Sequence, residues 1–91
     1  MSYTVIHKSP STVAPYTLDW SEWLEDDYII AASVWVVPDD LEIEAEFRNP
    51  TTTVIWLGGG TLGETYHVVN AVNSTSGAET QRTLVIRITD Q

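Results

Sequence analysis

The chain contains no cysteine among its 91 residues. Disulfides therefore contribute nothing to its stability, thiolate chemistry is excluded, and a cysteine-based zinc site cannot exist. Positive charge is nearly as scarce. Lys8, Arg48, Arg82 and Arg87 stand against thirteen acidic residues, and the net charge is -9. A surface of that sign repels phosphate, so neither nucleic acid nor an anionic membrane surface is an expected partner. No window approaches the roughly 18 to 20 apolar residues of a membrane span. The opening MSYTVIHKSP carries one Lys and no apolar run, so it does not read as a secretory signal.

What is present suits one domain over residues 1–91. A chain of this size buries roughly 60 to 65% of its unfolded surface and can fold unaided. Hydrophobic residues make up 43% of it, and four tryptophans supply bulk for a core. The acids are unevenly placed: ten of the thirteen fall between Asp19 and Glu46, and no Lys or Arg lies between Lys8 and Arg48. One part of the surface is therefore strongly negative, either for solubility or as a docking face for a basic partner.

Period-two alternation dominates the chain. Residues 1–15 read as an extended N-terminal segment, with a short strand over Tyr3 to His7 and an irregular KSPSTVAP. Tyr16, Leu18 and Trp20 then share one side of a half-buried strand. Ser21 with Glu22 through Leu24 reads as one helical turn that tucks Trp23 and Leu24 under the core. EDD at 25–27 is a charged turn. The run from Tyr28 to Val37 reads as a central strand, but Ile30 and Trp35 cannot share a face without a bulge near Ala32 and Ser33.

Leu41, Ile43, Ala45 and Phe47 alternate with Glu42, Glu44 and Glu46, which places the three carboxylates on one exposed side of a regular strand. Thr51 to Leu57 sends Ile55 and Leu57 inward and leaves Trp56 at the surface or an interface. In the last strand, Arg82 to Thr89, the expectation is Leu84, Ile86 and Ile88 inside, with Arg82, Val85 and Arg87 toward the other side or the edge.

Between these lies VIWLGGGTLGETYHVVNAV, 54–72, with four glycines in six residues. Gly58, Gly59, Gly60 and Gly63 could cradle a phosphate only before a helix, and a P-loop also needs Lys then Ser or Thr; Glu64, Thr65 and Tyr66 stand there instead. The glycines read better as a corner, followed by a strand in which Tyr66, Val68, Asn70 and Val72 face one way. A tyrosine opening a strand after such a corner is the arrangement of the tyrosine corner, whose hydroxyl bonds back to upstream backbone. Asn70, if buried, must be hydrogen-bonded, and loop backbone is the expected partner. The fold class predicted is all-β: an immunoglobulin-like antiparallel β-sandwich of six to seven strands.

Nothing in the sequence assembles a catalytic set. His7 and His67 are not brought together by any motif, and neither has a serine with a partner acid. Asp39 and Asp40, or Glu25, Asp26 and Asp27, offer oxygen ligands for calcium but lack EF-hand spacing. No cofactor or metal is expected, and no enzyme. The residues expected to bind a partner are Glu42, Glu44 and Glu46 on the acidic strand, with Trp56, Gly59 and Gly60 at the glycine corner.

The blocks LDWSEWL at 18–24, IIAASVWVVP at 29–38, WLGGGTLGETYHVVNAV at 56–72 and SGAETQRTLVIRI at 76–88 resemble, in order and spacing, the bacteriophage fibre-tail adaptors, immunoglobulin-like virion proteins. That resemblance covers roughly residues 7–89. It implies a non-enzymatic structural protein of the virion tail, made in the host cytoplasm, in which Trp20, Trp23, Trp35, Tyr66 and Asn70 are fold determinants. Its implied partners are other tail proteins and the tail fibre, with several copies around a symmetric tail or connector ring. The alternatives are a host-surface or carbohydrate-binding module that stacks sugars on Trp56 and the glycine loop, and a head-to-tail connector component.

Overall fold

The computed structural model describes residues 3–24 and 28–90, so the acidic turn expected at 25–27 lies outside the described residues. Among these residues seven strands form: β1 (Tyr3–Lys8), β2 (Ala14–Asp19), β3 (Ile30–Val36), β4 (Leu41–Arg48), β5 (Thr52–Gly59), β6 (Thr65–Ser74) and β7 (Glu79–Ile88). They make two sheets, one ordered β1-β7-β6-β3 and the other β2-β5-β4. All pairings are antiparallel except β1 on β7. This is the immunoglobulin-like sandwich that the alternation predicts. The first strand is part of it, bonded along the edge of the four-stranded sheet from Tyr3↔Thr83 to Lys8↔Ile88.

The core comes from the inward residues of both sheets: Leu18, Trp20, Ile55 and Leu57 from one, Ile30, Trp35, Tyr66, Val68, Val72, Leu84, Ile86 and Ile88 from the other. Trp20, Ile55, Leu57, Val68 and Ile86 have no accessible surface left. Burial of that order is what holds a small sandwich together, at about 1.5–3 kcal/mol per large apolar side chain. The turn after β2 delivers Leu24 to the core and sets Trp23 edge-on to Trp20, ring centroids 5.8 Å apart at 70°. Asp19 caps it, its side-chain oxygen accepting the Ser21 amide at 2.9 Å.

The bulge in β3 lies one residue earlier than predicted. Ile30 pairs with Ser74 and Ala32 with Asn73, so Ala31 is the extra residue, and Ile30, Ser33 and Trp35 all turn inward. The glycine corner behaves as read. Tyr66 is buried, its hydroxyl accepts the Thr61 amide at 3.0 Å, and it donates to Asp40 Oδ2 at 3.0 Å. Gly60 has φ of 99°, and a Cβ there would sit 2.6 Å from Ile88 Cδ1, so the chain crosses between the sheets only without a side chain at that point.

Two inward polar positions depart from the expectations. Asn70 is fully buried, but its partners are not loop backbone. Its Oδ1 accepts from Thr53 Oγ1 at 2.6 Å across the sandwich, while its Nδ2 donates to Ser33 Oγ at 2.8 Å and to the Val34 carbonyl at 3.1 Å. Thr53 in turn accepts the Trp20 indole N–H at 3.0 Å. Arg82 does not point to the other side from Leu84. Its parity matches the inward residues of β7, and its guanidinium lies 4.3 Å over the Trp20 ring while donating to the Asp19 carbonyl. The cation closes the end of the core by stacking on the indole.

Candidate functional site

The predicted acidic strand is not regular. Ile43 pairs with Leu57 and Ala45 with Trp56, so Glu44 is an extra residue and every position after it changes face. Leu41 is buried as expected. Phe47 is not inward: it pairs with Val54 on the outer face and is 58% exposed. Glu46 moves the opposite way, to the side of Ile55, at the rim of the sandwich beside Ser33, Trp35 and Arg48. The three glutamates therefore do not share one face. All three are exposed, but only Glu42, paired with Gly58, and Glu44 stand on the outer side.

Trp56 joins them there, half-buried between Pro15 of β2 and Ala45 of β4. Strand register assembles the rest of this face: Phe47, Val54 and Thr17 in one row, Ala45, Trp56 and Pro15 in the next. Beyond them Val13 and Glu44 lie over Gly58. A Cβ on Gly58 would meet Val13 Cγ2 at 3.0 Å and Glu44 Oε2 at 3.3 Å, so the missing side chain leaves room for both over the strand. The result is an apolar patch with acid at one end, on a sheet surface that a solitary sandwich would make polar.

Gly59 and Gly60, the other two residues expected to meet a partner, are occupied internally. The Gly59 carbonyl accepts from the ammonium of Lys8, which also donates to the Ser9 carbonyl at 2.8 Å. Lys8 is nearly inaccessible, and that burial pushes its pKa down. The Gly60 amide donates to the Asp40 carbonyl at 3.0 Å. Of the six residues, Glu42, Glu44 and Trp56 are brought together; Glu46, Gly59 and Gly60 are not. Phe47 and Val13 join the patch without having been anticipated, Phe47 because only the bulge turns it outward. A period-two run with Glu at the bulge position carries no local sign of it.

The opposite outer face, on the four-stranded sheet, is also partly apolar, with Val5, Val34 and Val36 each at least half exposed. At one end of it lies a grouping that no sequence motif announces. His7 pairs with Arg87 and His67 with Val85, so both histidines and the arginine are exposed on one surface. Among the described residues, no three His, Asp or Glu side chains group as metal ligands, and Asp40 is engaged by Tyr66. No helix among the described residues is long and apolar enough to cross a membrane.

In overall shape the chain is similar to a solved structure, the PKD domain from KIAA 1837 protein, with a TM-score of 0.53 at 18% identity over 97% of this chain and 82% of that one. At that identity the likeness speaks for the fold alone. No curated protein matches the chain. A family model described as podophage GP4 fiber-tail adaptor protein gp77 matches residues 8–87, from the buried Lys8 to the exposed Arg87 and so nearly the whole sandwich. With that match spanning both sheets and the corner between them, the chain belongs to the podophage fibre-tail adaptor family.

Proposed function

We propose that the chain is a non-enzymatic structural component of the virion tail that joins the tail or its connector to the fibres, in several copies around a symmetric ring. It is made in the host cytoplasm and then built into the particle. The observation that carries this reading is the pair of partly apolar faces that the described residues leave exposed on opposite sides of one sandwich, Val13, Phe47 and Trp56 on one and Val5, Val34 and Val36 on the other. A protein that bridges two neighbours needs two surfaces that do not overlap, and exposed apolar patches of this kind mark interaction sites. Many copies on a ring also offset weak individual contacts. Family membership supplies the identity of the neighbours as tail and fibre.

Particles made without this protein test the reading. The expected result is assembled heads and tails that lack fibres. Fully fibred particles without it would rule the adaptor role out.

A further inference from the structure

We propose that the outer face of the three-stranded sheet docks a different protein, one that brings a small apolar centre edged by lysine or arginine, and not a second copy of this chain. The proposal rests on the adaptor reading and specifies the chemistry of one of its two contacts. Phe47, Val54, Ala45, Trp56 and Val13 form the apolar area, and Glu42 and Glu44 edge it. Carboxylates at the edge of an apolar patch select a cationic rim on whatever covers it. A second copy offers the wrong sign, since each carries a net charge of -9. Among the described residues, the basic side chains on the outer face of the other sheet are His7, His67 and Arg87, with one arginine and no lysine.

The mode of contact follows from the strand edges. The bulge at Glu44 interrupts β4, the bulge at Ala31 interrupts β3, and Pro15 in β2 has no N–H to offer. Each device blunts strand addition, so the partner lies on the face and does not extend the sheet. Size sets the strength. Strands about 4.8 Å apart, two of eight residues and one of six, give a flat area of roughly 350 Å², under half the roughly 800 Å² per partner of a stable one-to-one complex. A single copy therefore binds weakly, and occupancy depends on repetition around the particle.

The test is made in particles. Photoreactive p-benzoylphenylalanine is placed at Val13, Phe47 or Val36, all exposed, the last on the opposite sheet, where the adaptor reading puts the second contact. Each variant is added back to particles made without the protein, and incorporation and cross-links are read separately. The expected result is incorporation of all three, with cross-links from positions 13 and 47 to another virion protein, in a segment containing Lys or Arg. Glu42→Gln with Glu44→Gln should lower the yield at position 47 severalfold at 0.1 M salt. Raising the salt toward 1 M, where the Debye length contracts from about 10 Å to about 3 Å, should lower the parent yield to the same level.

Incorporation with cross-links only from position 36, or from position 47 to a second copy, overturns the inference and leaves the adaptor reading standing. A yield indifferent to both salt and the two glutamines overturns the basic partner. Failure of every variant and of the parent to enter particles overturns the adaptor reading, and the inference with it.

Discussion

Thr53 and Asn70 face each other from opposite sheets, and the threonine hydroxyl donates a 2.6 Å hydrogen bond to the amide oxygen in a site with no accessible surface. The same hydroxyl oxygen accepts the Trp20 indole, so three side chains from β5, β6 and the end of β2 form one chain of hydrogen bonds through the core. Thr53→Val keeps the shape but strands two buried polar groups. It should cost about 1–3 kcal/mol in urea unfolding, the range for leaving a buried donor or acceptor unsatisfied. Thr53→Val combined with Asn70→Leu should cost clearly less than the sum of the single changes, because the second removes a group the first had orphaned. Additive costs would show that the two residues are not coupled.

Tyr66→Phe removes both hydroxyl bonds of the corner, to the Thr61 amide and to Asp40. A loss of about 1 kcal/mol or slightly more is expected. Asp40→Ala should cost less through the tyrosine, since the bond to Thr61 remains. Equal or reversed effects, measured by the same urea titration, would mean that the backbone bond contributes nothing to the corner.

Gly60 and Gly63 both have φ near 90°, but only Gly60 is crowded. Gly63→Ala should cost about 1–2 kcal/mol, for the left-handed backbone alone. Gly60→Ala adds overlap with Ile88, typically about 1–3 kcal/mol more. Similar melting temperatures for the two variants would contradict the crowding.

The Ser21 amide and hydroxyl, aided by the Arg82 guanidinium, hold the Asp19 carboxyl below its ordinary value of 3.8. The unfolded chain therefore takes up this proton first as pH falls. Asp19 contributes stability that is fully present above 3.8 and is lost as pH drops through the lower, folded-state value. The stability gap between the parent and Asp19→Asn should be constant near neutrality and shrink below about pH 4. A gap of the same size at pH 2.5 and pH 6 would remove Asp19 from the account of the turn.

Period two is a local property of the chain, and it was enough to place the strands, the inward set on β6 and the need for a bulge between Ile30 and Trp35. The glycine cluster ahead of Tyr66 was equally local, since a positive φ and a missing side chain are demands made at single residues. The parity of Arg82 with Leu84 was also there to be read, but only the Trp20 ring brought from β2 gives a cation reason to lie on the inner side. The bulge at Glu44 was different. It exists because β4 must fit the register of β5, and pairing between strands is a non-local choice that no alternation within Leu41 to Phe47 records. That choice turned Glu46 to the rim and Phe47 outward, onto the surface that holds Trp56 of β5 and Val13, the residue before β2. The partners of Asn70 were decided in the same way, by which side chains the opposite sheet presents once both sheets have closed over the core.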